Sequence, residues 1–165
     1  MKNNWIKYSL VAVIALVCIS LDQVSKLIAI NNLIEYKSVP VINNFFNFTL
    51  CYNTGGAWSI FSNATWLLVI ISIIALGFII YTIIKSKSNL YTISASVFMG
   101  GLIGNLIDRI FNSKVTDFLD FIIFGYDFPV FNFADIFIVV SAALIIFAIL
   151  KEENKEEIKD GKDSN

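Results

Sequence analysis

The residues in this sequence with types and placement suited to chemistry are acids. There is no histidine at all, so a Ser-His-Asp or Cys-His arrangement is excluded and the commonest metal ligand is missing. Cys18 and Cys51 have no Cys-x-x-Cys spacing, and Cys18 sits in an apolar run as a small hydrophobe. A disulfide framework or zinc site is therefore not expected. The single arginine, without interleaved basic and aromatic residues, argues against a nucleic-acid partner. What remains is a set of carboxylates beside or inside apolar runs. The uncharged stretch from Ile136 to Leu150 has 15 residues, about 22 Å as a helix. A bilayer core of about 30 Å needs more, so Asp135 is drawn inside the outer end of a spanning helix. An ionisable group there costs a few kcal/mol and by default marks a functional site.

A second acid, Asp117, lies 18 residues upstream in Val115-Thr116-Asp117-Phe118-Leu119-Asp120-Phe121, a segment that returns to the same membrane face. Two carboxylates held together in a poorly hydrated place cannot both ionise and titrate as a pair. The ionised member can take a proton from water while the protonated one donates to a carbonyl, which is hydrolytic chemistry. Purely structural readings stand beside this one. Asp135 also suits the first turn of a helix, where negative charge is favourable. Asp22 and Lys26, at i,i+4, form an expected ion pair on one helical face. Asp108 and Arg109 are adjacent, do not face each other on a helix, and each requires a partner elsewhere. Gly100, Gly101 and Gly104 suit close approach of a neighbouring helix.

The elements that must position these groups are membrane helices. Of 165 residues, 57% are hydrophobic and 15% charged, with mean hydropathy +0.74, which is membrane composition. Four spans are expected, over about residues 8–30, 66–84, 89–107 and 128–150. The first begins like a signal-peptide core but lacks a small-residue cleavage site, so it is read as retained. Eight of the twelve basic residues lie at Lys2, Lys7, Lys85, Lys87, Lys151, Lys155, Lys159 and Lys162. The positive-inside bias makes those regions cytoplasmic, with both termini inside. Residues 31–65 and 111–127 then face outward. Between Phe46 and Asn53, apolar and polar residues alternate as in a half-buried strand, and Asn53-Thr54-Gly55-Gly56 gives a turn. The expectation is an all-α membrane fold with a small extracytoplasmic β element, Trp58 and Trp66 lying at headgroup level. Residues 151–165 form a charged cytoplasmic tail, a solvated helix end that frays.

Five blocks in register with the four spans carry a resemblance: Asp22-Gln23-Val24-Ser25-Lys26, Asn53-Thr54-Gly55-Gly56-Ala57-Trp58, Gly104-Asn105-Leu106-Ile107-Asp108-Arg109, Val115-Thr116-Asp117-Phe118 and Phe131-Asn132-Phe133-Ala134-Asp135. Together they resemble the bacterial lipoprotein signal peptidases (signal peptidase II) over nearly all of residues 1–150. The resemblance implies that Asp117 and Asp135 are the catalytic dyad. It implies that Asp22, Lys26 and Asp108 hold the site together, and that Asn53, Gly56, Asn105, Arg109 and Asn132 line it or support the dyad. Gly56 stands where many members have alanine, and Ile136 where a small residue is often seen. The implied substrate is a prolipoprotein whose cysteine carries a diacylglyceryl group, cut before that cysteine. A monomer in the bacterial inner membrane, in contact with lipid and using no metal or organic cofactor, is what the resemblance leads one to expect.

Two other readings fit buried acids. A small transporter or proton pathway also uses them, although four spans without a repeat or a broken helix pair offer little to alternate. A membrane scaffold would simply pair the acids with Lys26 and Arg109.

Overall fold

The computed structural model describes residues 4–56 and 64–163, with side-chain surroundings as far as residue 153. Four helices, α1 (Asn4–Asn32), α2 (Thr65–Lys85), α3 (Asn89–Asn112) and α4 (Phe133–Asp163), are long and apolar enough to cross a membrane. The third is the axis of the bundle. Its most apolar stretch is 56% buried, against 17–28% for the other three, because it carries small residues where its neighbours pass. A Cβ added to Gly100 would lie 2.6 Å from the Cβ of Cys18 on α1, and one on Gly101 would lie 2.6 Å from the Ala134 carbonyl oxygen on α4. Lipid gives no hydrophobic gradient to drive helices together, so close backbone approach supplies the attraction. α2, by contrast, turns Ile70, Ile74 and Phe78 outward, the surface expected against acyl chains.

Strands β1 (Ser38–Ile42), β2 (Phe46–Asn53), β3 (Val115–Ile123) and β4 (Tyr126–Asp127) form an antiparallel sheet in that order at one end of the bundle. β2 has the bounds its alternation predicts. Its Phe46, Phe48 and Leu50 pack with Ala29, Phe118 and Leu119 in one apolar cluster, while Thr49 and Asn47 donate across the ladder to Asp120 at 2.5 and 3.4 Å. Beyond Phe48 the pairing shifts, and Cys51 stands opposite Asp117. At the other end of the bundle Lys7 donates to the carbonyls of Ile83 and Ser86 at 2.5 and 2.7 Å, closing the α2 C-terminus. Lys87 and Lys151 line a shallow pocket at that same end.

The structure moves three boundaries. α3 continues to Asn112 rather than ending near residue 107, since Asp108 and Arg109 both find partners and no unpaired charge stops the helix. It ends at Ser113, whose left-handed backbone (φ 58°) lets its N–H reach the Arg109 carbonyl. α4 begins at Phe133 rather than 128, because the apolar residues before it join the sheet: Phe131 exchanges backbone hydrogen bonds with Leu119. The tail expected to fray is helical to Asp163, as its lysines and glutamates favour. Trp66 opens α2 and is exposed; Trp58 lies outside the described residues.

Candidate active site

Toward the C-terminal end of α1, Asp22 and Lys26 lie one turn apart on the face turned to α3, and both are buried. The Lys26 ammonium has three partners: Asp22 Oδ2 at 2.8 Å, Asp108 Oδ2 at 3.1 Å and Asn105 Oδ1 at 3.0 Å. Its three donors are thereby used. The second oxygen of Asp22 accepts from the Ala134 N–H of α4 at 2.9 Å, and Asp108 Oδ2 also accepts from the Thr116 N–H at 3.0 Å. One ion cluster thus clamps α1, α3, β3 and the start of α4. Gly104 permits it, for a Cβ there would lie 2.5 Å from Asp22 Oδ2. Gln23 completes the cluster by donating to Asp22, the Gly104 carbonyl and Asp108 at 3.1–3.2 Å.

The start of α4 is built by a reciprocal cap. Asn132 Oδ1 accepts from the Asp135 N–H at 3.0 Å, and Asp135 Oδ2 accepts from the Asn132 N–H at 3.2 Å, a capping box with aspartate as the acid. The other half of the Asn132 amide leaves the helix. Its Nδ2 donates to Asp117 Oδ1 at 2.6 Å and to Asn105 Oδ1 at 3.2 Å. Asn105 Nδ2 in turn donates to Asp135 Oδ1 at 2.8 Å. One fully buried asparagine, Asn132, therefore joins the two carboxylates that the sequence singled out.

Asp117 is 2% exposed. Burial, followed by the negative charge of Asp135, pushes its carboxyl from the ordinary 3.8 up to about 7, against the pull of the Asn132 and Asn53 amides and of Lys26. Across the ladder the Cys51 thiol is pushed up to about 12 by burial and by the acids Asp117, Asp120 and Glu35, so it stays a neutral thiol. Four acids, Asp22, Asp108, Asp117 and Asp135, here meet two cations, Lys26 and Arg109. Two negative charges are thus left without a cation, a condition that favours protonation of a carboxyl.

Arg109 leans away from Asp108 toward the turn after β2, donating to the Gly55 carbonyl at 3.0 Å, and its charge acts on Asp135, Asp117 and Asp108. Its buried Nε has no hydrogen-bond partner among the described residues. Asn53 shapes that turn: its Oδ1 accepts from the Gly55 N–H at 2.8 Å and its Nδ2 donates to the Gly56 carbonyl at 3.1 Å. Ala57 and the residues after it to 63 lie outside the description. All ten site residues expected from the sequence thus belong to one connected region. Gln23 and Thr116 were missed. Gln23 was legible as a polar residue between Asp22 and Lys26, whereas Thr116 takes part through its backbone, for which its type gives no signal.

A family model described as signal peptidase (SPase) II matches residues 14–151. Two solved structures, each described as a bacterial membrane enzyme obtained by the in meso method, share the fold. One has a TM-score of 0.82 and 37% identity over 88% of this chain and 90% of its own. The other has a TM-score of 0.78 and 38% identity over 86% of this chain and 92% of its own. With the match running through all four spans and through every acid of the site, this chain belongs to the signal peptidase II family of bacterial membrane peptidases, which remove signal peptides from lipoproteins.

Proposed function

We propose that the protein is an aspartic endopeptidase that cuts diacylglyceryl-modified prolipoproteins before the lipidated cysteine, with Asp117 and Asp135 as its catalytic pair. The observation that carries this reading is the Asn132 bridge, which joins the Asp117 and Asp135 carboxylates while neither has an ion pair among the described residues. In such a pair one carboxyl receives a proton from water as the other gives one to the scissile carbonyl. Lys26, its donors taken by Asp22, Asp108 and Asn105, has no lone pair to act as base. Asn53, Gly56 and Arg109 form the rim on which the peptide would lie, and the sheet covers the pair from outside the bilayer. All these groups come from one chain, so a monomer suffices. A proton pathway fits less well, since the described buried acids gather at one end of the bundle, and α3 toward the other end buries serine, threonine and alanine.

Purified protein incubated with a lipidated precursor should release the signal peptide as a size shift, and the same precursor without its lipid should stay intact. No shift with the lipidated precursor would sink the proposal. The lysine-rich end faces the cytoplasm in this reading. Cysteines placed at Lys37 and Lys114 should then be labelled from outside, and one at Lys87 should not.

A further inference from the structure

At the end of the bundle remote from the carboxylates, lysines stand in two different conditions. Lys7 is committed to the fold, its ammonium donating to the carbonyls of Ile83 and Ser86. Lys87, in the turn between α2 and α3, and Lys151, on α4, have side chains with no ion pair or hydrogen bond among the described residues. Folding nevertheless brings these two, distant in the chain, to the wall of one cavity of about 320 Å³. Glu152 is the one acid on that wall, so two lysines against one glutamate leave a positive charge without a partner. Ser88 and Asn89 add polar groups. The Ser88 oxygen already accepts from the Tyr91 N–H at 3.3 Å, which leaves its O–H as a donor. Leu90 and Ala148 line the cavity as well, and Ala148 is buried in the apolar cluster with Tyr91 and Ala95.

The helical period carries both walls of this hollow down into the membrane. α3 starts at this end of the bundle, so Ile93, one turn beyond Asn89, lies deeper on the same face. α4 runs the other way, and Leu144 and Phe147, one turn before Ala148 and Lys151, lie deeper on theirs. All three are exposed. A net-positive polar hollow thus stands over an exposed apolar strip, which is the two-part chemistry of a phospholipid. A free phosphate would use the hollow and leave the strip bare. Basic pockets between spanning helices at the cytoplasmic side are suited to lipid headgroups, and in the proposed topology this end faces the cytoplasm.

We infer that this hollow binds the headgroup of an anionic phospholipid of the phosphatidylglycerol kind. Lys87 and Lys151 hold the phosphate oxygens, a hydroxyl of the headgroup donates to Glu152, and the acyl chains lie along Ile93, Leu144 and Phe147. One negative charge on the lipid answers the one positive charge the wall leaves over. A choline headgroup meets neither condition, being neutral overall and having no O–H to offer the glutamate. The bound lipid would tie the start of α3 to the inner end of α4's apolar stretch, as the Asn105–Asp135 hydrogen bond ties the same two helices at the other end. The site is separate from the carboxylates and takes no part in cleavage.

The test is thermal unfolding of the full chain in a neutral detergent with defined lipids added, beside native mass spectrometry to count the lipid retained. Dioleoyl phosphatidylglycerol should raise the melting temperature by several degrees, as a ligand held only by the folded state does. Dioleoyl phosphatidylcholine should raise it far less, and glycerol 3-phosphate, a headgroup without tails, should leave it unchanged. Lys87→Ala and Lys151→Ala should each weaken the phosphatidylglycerol shift, and together abolish both the shift and the retained lipid. Both side chains are exposed, so their loss leaves the fold standing. Lys85→Ala, at the same end but off the wall of the hollow, should keep the full shift, which separates a site from the general attraction of a basic surface. Equal shifts with both lipids, a shift surviving the double variant, or an equal loss in Lys85→Ala overturns the proposal. A shift from glycerol 3-phosphate alone would hand the hollow to a soluble phosphate and overturn it too. These measurements need no turnover, so the peptidase reading stands or falls apart from them.

Discussion

Around Lys26 and around Asn132 the protein gathers two pairs of aspartates at one end of the bundle, and it treats them differently. Asp22 and Asp108 share an ammonium, and Gln23 and two backbone N–H groups, those of Ala134 and Thr116, supply further donors. Asp117 and Asp135 share an asparagine, which brings hydrogen bonds but no charge. The first pair is closed around a cation by direct ion pairs and joins helices. The second is open in that neither carboxylate has an ion pair among the described residues, and an open pair can share a proton with water and substrate. On the proposed reading, what sets the catalytic acids apart is the lack of a direct cation rather than burial.

The largest effect should come from the open pair. Asp117→Asn and Asp135→Asn each keep the side-chain shape but cannot pass a proton. Each should insert and bind lipidated precursor yet cleave it slower by several orders of magnitude, and the double variant should be little worse than either single one. Single-turnover cleavage measures this, and additive losses would separate the two acids into independent tasks.

The closed pair should fail in the other way. Lys26→Met strips the cation from two buried carboxylates, a change worth about 3–5 kcal/mol, and the protein should lose folded yield and melting temperature in detergent. Wild-type melting with abolished cleavage would transfer Lys26 to the catalytic machinery and erase the contrast.

Stability against pH sharpens the comparison further. The Asp117 carboxyl titrates at about 7 in the fold against an ordinary 3.8, so between those values the folded state binds more protons than the unfolded. Stability should fall as pH rises through that window, by up to about 1.4 kcal/mol per pH unit for one proton. Asp117→Asn should flatten the slope; an unchanged slope would show that other groups produce it. The smallest effect is expected at Asp120. It lies on the same strand as Asp117 but accepts from Thr49 and Asn47 at the half-exposed sheet. Asp120→Asn should cost less than about 1 kcal/mol and leave cleavage within about twofold.

The fold was legible where one kind of environment shaped a whole segment. Spans surrounded by lipid showed in hydropathy, and β2, apolar on one side only, showed in its alternation. β3 did not show. Val115 to Leu119 are all buried because α1, α3, β2 and the chain around Phe131 enclose that end of the strand, so its sequence has no two-residue period. The start of α4 was misplaced because apolar residues belonging to the sheet run directly into those of the helix. Asn132 and Asp135, spaced as a cap and its reciprocal acid, were the available signal. In the site, acids and their cation were readable from residue type. The three-way saturation of Lys26 and the direction of the asparagine amides were not, since they depend on which helices meet.

Asn132 starts a helix and holds the Asp117 carboxylate with the two ends of a single amide. A designer seeking a sturdier α4 would ordinarily exchange one good N-cap for another, and serine or aspartate would serve the helix equally well. Neither can serve the strand. Serine is too short to keep both appointments, and aspartate would bring a third carboxylate beside two that already lack an ion pair among the described residues. Thermostability in this protein must be sought elsewhere, because the residue that decides where the last helix begins also ties that helix to the strand bearing Asp117.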